Sequence, residues 1–303
     1  MNAHLLLTLS WALFGPVLLL AFSPLLDGVA RQVRARLESR AGPPLTQGWL
    51  DLAKLAGKAE VSASAGPLAR LAPVLALVAA VTAGLLLPLG RLAPLGFAGD
   101  GLVMLYLLTL SSVSLALAGS ASGSPFGFLG ASRELVLVLL VEPVLACALF
   151  VSALKAGSFR LVDLVGWRAV HGPGVSGVLA GLALLGALLG SMGRLPFDLP
   201  EAEQELMGGS TLEYGGPRLA LLRWTLFVRW LVLTWLVAAV FAPPPGPAGL
   251  SPLLVLVEVA VLFALVAAAS ALVARLRVDH TRALLTQVGL LAGLAVVFAL
   301  VGA

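Results

Sequence analysis

Five of the chain's fifteen acidic residues crowd into one short stretch. Asp198, Glu201, Glu203 and Glu205 sit in Arg194-Leu-Pro-Phe-Asp-Leu-Pro-Glu-Ala-Glu-Gln-Glu-Leu, and Glu213-Tyr214 follow shortly after. At about 100° per residue, Asp198, Glu201 and Glu205 share one helix face while Glu203 points elsewhere. Carboxylates this close raise one another's pKa. Where water is scarce, one of them can hold a proton near neutral pH and release it when a neighbouring charge changes. This pattern suits a proton relay. It also suits a capped helix, with Asp198 as N-cap, Pro200 in the first turn, Glu201 closing a capping box and Gly208-Gly209 ending it. On that reading Arg194, Arg218 and Arg223 neutralise the acids, since structural ion-pair networks gather such charges too.

Further acids stand inside apolar runs. An ionised carboxylate at the centre of a membrane span costs about 2.5–3.5 kcal/mol on insertion scales. Glu142 must therefore face protein or water and find a partner or a proton. Pro143 follows it and leaves the carbonyl of Leu139 without its helical donor, which favours a kink or local hydration. Glu134 lies eight residues earlier on the same side, next to Arg133, so the two acids can step a proton into the membrane. Glu258 is a third acid of this kind, for which hydrogen bonding between helices is as good an explanation as transport.

The elements that must position these groups are membrane helices. Apolar residues make up 60% of the 303 and charged residues only 11%, against about a quarter charged in soluble domains. Apolar windows near the roughly 20 residues needed to cross the hydrocarbon core fall at about 3–26, 68–90, 101–118, 134–154, 175–193, 224–242, 250–274 and 284–302. The expected fold is all-α, a single polytopic membrane domain of about eight transmembrane helices over 1–303, with long loops at 27–67 and 194–223. The first window lacks a basic leading segment and a small-residue cleavage site, so it reads as a retained span.

Counting the 19 Lys and Arg by alternate loops puts fourteen on one side and Arg91, Lys155, Arg160 and Arg168 on the other, with Arg229 inside a span. The positive-inside rule then makes the loops after spans one, three, five and seven cytoplasmic and both termini external. The net charge of +4 reflects this topology and not nucleic-acid binding. Trp49, Leu50, Leu52 and Leu55, interleaved with Asp51 and Lys54, suggest a short amphipathic helix after span one, lying on the bilayer or under a docked partner. Pro243 to Gly249 reads as a turn. The lone Cys147 reads as a small buried residue. One thiol cannot hold an iron–sulfur cluster, and no His/Cys metal spacing or Gly-rich nucleotide motif occurs.

The acidic stretch from Arg194, followed by Glu213-Tyr214-Gly-Gly, resembles the signature loop of respiratory complex I subunit 1 and its hydrogenase counterparts. The likeness extends to Gly42-Pro43 through Lys54, Gly130-Ala-Ser-Arg-Glu134 leading to Glu142, and Arg275-Leu-Arg-Val-Asp279. It is nearest to the branch of formate hydrogenlyase subunit 4 and hydrogenase-4 component C. The complex I branch carries Glu and Asn shortly before the loop's Arg, where this chain has Gly190-Ser-Met-Gly193. The resemblance implies an inner-membrane anchor on which hydrogenase-like large and small subunits dock, beside antiporter-like membrane subunits. Iron–sulfur clusters and a NiFe centre would belong to those partners, with no cofactor in this chain. It further implies a proton pathway through Glu134, Glu142, Asp198, Glu201, Glu203, Glu205 and Glu213. Arg194, Pro196, Phe197, Asp51 and Lys54 would face the redox partner. A quinone-binding subunit of complex I and a purely structural anchor are the rival expectations.

Overall fold

The computed structural model describes residues 2–60, 66–88, 95–96, 98–172, 174–193, 197, 209–241, 252–273 and 278–302. Among them are ten α-helices: α1 (Asn2–Leu37), α2 (Gln47–Ala56), α3 (Pro67–Leu85), α4 (Gly101–Ala121), α5 (Pro125–Ala156), α6 (Leu161–His171), α7 (Val175–Ser191), α8 (Gly216–Phe241), α9 (Pro252–Leu272) and α10 (Val278–Val301). A 3-10 turn at Gly209–Thr211 precedes α8. Seven of the helices, α1, α3, α4, α5, α8, α9 and α10, are long and apolar enough to cross a membrane. The window at 175–193 becomes the 17-residue α7, apolar but shorter. At 1.5 Å per residue it reaches about 26 Å, a little less than the roughly 30 Å hydrocarbon core. The chain is an all-helical polytopic membrane protein.

The bundle is arranged around α8. Within its apolar window 83% of the residues are buried, against 17% for α10, so α8 is the central pillar and α10 lies at the edge. α8 is apolar on every side, as a helix enclosed by others must be, and it packs against α1, α2, α3, α7 and α9. Lipid supplies no hydrophobic drive between helices, so close backbone approach has to hold them together. Along α3, Ala69, Ala72, Ala76, Ala80 and Ala83 recur at three- and four-residue spacing, all buried. On this stripe α3 meets α4, and the buried hydroxyl of Ser111 donates to the carbonyl of Ala76 at 2.9 Å.

Two helices run beyond their apolar windows. α1 continues to Leu37 instead of stopping near 26, because Asp27 and Arg31, one turn apart, pair at 2.7 Å and make the projecting turns self-sufficient. α5 begins at Pro125 rather than near 134 and passes through Pro143 without interruption. It ends at Gly157, whose left-handed φ of 68° closes the C-terminus. The amphipathic helix foreseen around Trp49 is α2, and it is seated on the bundle. Leu52 is buried. The Trp49 indole donates to the carbonyl of Ala21 at 3.2 Å and meets Trp224 edge-on at 5.5 Å.

Candidate functional site

α5 carries Glu134 and Glu142 about two turns apart, roughly 12 Å along its axis, and both line one cavity of about 480 Å³. α8 contributes Arg229, whose guanidinium is buried and donates from Nη1 to Glu134 Oε1 at 3.3 Å. Its Nε, equally buried, has no hydrogen-bond partner among the described residues. The Thr109 hydroxyl of α4 donates to the carbonyl of Leu105 at 3.0 Å, and both it and Arg229 act on the Glu142 carboxylate electrostatically. The remaining wall is mixed, with Leu108, Leu137, Val141, Leu145 and Trp230 on the apolar side and Ser112, Ser210 and Thr211 on the polar side. An ion pair inside a membrane bundle, facing a cavity that also holds a second acid, is the arrangement intramembrane charge requires.

The end of the cavity near Glu134 is charged by α1, which lines it with Asp27, Arg31 and Arg34. Arg31 holds Asp27 through Nε at 2.7 Å and reaches Asp51 of α2 through Nη2 at 2.9 Å. Gln47 steadies the same Asp51, donating to Oδ1 at 2.9 Å. One arginine therefore ties the outlying helix α2 to the cavity wall. Gly190, Ser191, Met192 and Gly193 also line this cavity. They give that part of the wall uncharged groups.

Ser210 and Thr211 reach the cavity because the 3-10 turn presses against α4 and α5 at glycines. A Cβ on Gly130 would collide with the backbone nitrogen of Ser210, and one on Gly119 would stand 2.7 Å from the Ser210 Cβ. Beyond the turn, the buried Tyr214 hydroxyl lies 3.0 Å from the carbonyl of Ala118 and 3.2 Å from that of Ala69. Burial raises the Tyr214 pKa and Arg218 partly offsets the rise, so the phenol stays protonated and fastens the segment to α3 and α4. Gly→Ala in an ordinary helix interior stabilises by about 0.8–1 kcal/mol. Gly130→Ala is expected to do the opposite, destabilising by about 1–3 kcal/mol through overpacking. Thermal unfolding in detergent checks the sign.

Of the residues expected from sequence to carry function, the structure brings Glu134 and Glu142 together and pairs Asp51 with Arg31. Lys54 is exposed on α2. Phe197 is almost fully buried, and Glu213 is half-buried in the turn before Tyr214, outside the cavity lining. Arg194, Pro196, Asp198, Glu201, Glu203 and Glu205 lie outside the described residues. Arg218, considered as a neutraliser of the acidic stretch, pairs with Glu60. Sequence reasoning gave no site role to Asp27, Arg31, Arg34 or Arg229. The signals were present in the four-residue spacing of Asp27 and Arg31 and in the one arginine within the apolar window 224–242. No group of three or more His, Cys, Asp or Glu that could hold a metal occurs among the described residues.

Known proteins resemble the chain over most of its length. Hydrogenase-4 component C of Escherichia coli K12 is 40% identical to it over 240 residues, covering 77% of this chain and 75% of that one. Formate hydrogenlyase subunit 4 of the same organism is 37% identical over 238 residues, covering 77% of each. NADH-quinone oxidoreductase subunit 8 of Thermus thermophilus is 32% identical over 232 residues, covering 70% of this chain and 63% of that one. The fold matches a chain in the structure of the membrane-bound sulfane sulfur reductase, an archaeal respiratory membrane complex. That match has a TM-score of 0.86 at 23% identity and covers 98% of this chain and 99% of the other. The NADH dehydrogenase family pattern spans residues 10–301, and with nearly its whole length so matched the chain belongs to the NADH dehydrogenase subunit 1 family.

Proposed function

We propose that this chain is the membrane anchor and coupling subunit of a membrane-bound, formate hydrogenlyase-like hydrogenase complex, linking redox chemistry in docked hydrophilic subunits to proton or cation movement. One observation carries the reading. Glu142 and the Glu134–Arg229 pair line a single cavity whose charged end is tied through Arg31 to α2. A partner that settles on α2 and shifts Asp51 changes the field at Arg31 and Asp27, and through the cavity at Glu134. Carboxylates in so poorly solvated a place respond to such changes by taking up or releasing protons. The acidic run Asp198 to Glu205 and Glu213 would extend this path, and Arg194, Pro196, Phe197, Asp51 and Lys54 would meet the partner.

On this reading the redox centres, iron–sulfur clusters and a NiFe site, belong to hydrogenase-like large and small subunits on the cytoplasmic side. Antiporter-like membrane subunits lie alongside, and both termini are external. A second reading has a specific observation in its favour. A cavity of about 480 Å³ falls within the roughly 300–1,000 Å³ of small-molecule sites, and its mixed wall fits a quinone head group. Gentle detergent purification of the tagged chain, with mass spectrometry of what comes with it and assays of hydrogen and quinone turnover, separates the two. Recovery of a NiFe large subunit and a small iron–sulfur subunit with hydrogen turnover supports the hydrogenase complex. NADH-oxidising subunits with quinone reduction move the chain to the second reading, and recovery of the chain alone with neither activity sinks both.

A further inference from the structure

At the opposite end of the bundle from the charged rim, α6 is too short to span and lies between the C-terminus of α5 and the N-terminus of α7. Its Arg168 is 93% buried, being only 7% exposed, and lies flat against α7. A Cβ on Gly177 would occupy the place of its Nη1. The guanidinium donates to the carbonyl of Gly172 at 3.3 Å and lies 5.9 Å from the Phe241 ring centroid. Its Nε has no partner among the described residues. No described carboxylate pairs with it. Asp163, on the same helix, is held by the Ser158 hydroxyl at 2.6 Å, and Asp100 caps α4 by accepting from Leu102 N at 2.7 Å. A buried cation with so little compensation is costly to keep, and burial correspondingly lowers its pKa.

A notch of about 10 Å³ opens beside Arg168, lined also by Lys155, Ser152 and Trp167. That volume fits a single water or a single phosphate oxygen. Lys155 Nζ stands 6.0 Å from the Trp167 ring centroid, and Trp167 is itself stacked on His171, a grouping suited to the membrane interface. Leu154, the chain neighbour of Lys155, exposes an apolar side chain. Two cations and an indole around an oxygen-sized notch, at an end of a membrane bundle, match a phospholipid better than a soluble anion.

We infer that the α5–α6–α7 corner binds the headgroup phosphate of an anionic membrane phospholipid, received by Arg168 and Lys155. The test uses the purified complex containing the full chain, delipidated in detergent and titrated with cardiolipin, phosphatidylglycerol or phosphatidylcholine while bound lipid is counted by native mass spectrometry. The unmodified complex retains one more anionic lipid than Arg168→Gln. Lys155→Gln, a milder change at a half-buried residue that serves if Arg168→Gln does not fold, weakens that lipid about fivefold, the factor one cation near a membrane surface supplies. Equal retention by the unmodified complex and both variants overturns the inference. So does phosphatidylcholine binding as tightly as the anionic lipids, or displacement of the lipid by millimolar inorganic phosphate, which would mark a site for a soluble anion.

Discussion

Arg229→Met is expected to lower the stability of the purified protein by about 3–5 kcal/mol, the cost of removing one member of a buried ion pair and leaving the other uncompensated. Glu134, 15% exposed at its side chain, would lose the partner that Arg229, 7% exposed, gives it at 3.3 Å. The double variant Arg229→Met with Glu134→Gln should recover most of the loss, because replacing both members of a buried pair is often close to neutral. Melting temperatures of the two single variants and the double variant form the cycle that isolates the pair. If the double variant is as unstable as Arg229→Met alone, the pair is not what holds α5 to α8.

How far the sequence disclosed this site depends on the residue. Glu134 and Glu142 were legible because an acid within an apolar span is conspicuous and eight residues return to the same helix face. Arg229 was conspicuous in the same way, but its pairing joins residues 95 positions apart, and periodicity within one helix cannot choose a partner on another. Asp27 and Arg31 were hidden by the apolar window itself. Hydropathy ends the first span near residue 26, whereas the helix continues to Leu37 on hydrogen bonds and an ion pair that hydropathy does not register. The amphipathic pattern around Trp49 predicted α2 correctly but left open what it lies on, and Trp224, on a helix far along the chain, supplies that surface. The short α7 shows the converse case, an apolar window whose regular helix covers only 17 residues. Its last turn leads into Gly190 to Gly193, where small residues open the cavity wall.

The largest functional effect is expected at Glu142. Gln has nearly the same shape, but it cannot carry a proton, so Glu142→Gln separates shape from titration. On the coupling reading, ion movement per redox turnover falls about a hundredfold or more, the scale on which positioned proton-transfer groups act. Stability should change by no more than about 0.5 kcal/mol, since no ion pair is broken and no volume is lost. Assembly with the docked subunits, and their turnover with a soluble redox dye, should persist because the tie of α2 runs from Asp51 to Arg31 and does not involve Glu142. Ion movement in sealed vesicles, measured beside dye turnover in the same preparation, distinguishes the outcomes. Undiminished ion movement in Glu142→Gln removes this carboxylate from the path, whereas loss of the docked subunits before any loss of turnover makes the cavity acids a structural anchor. Only a protein that assembles, turns over and no longer moves ions leaves Glu142 as the proton-bearing group, with the Glu134–Arg229 pair setting the field in which it works.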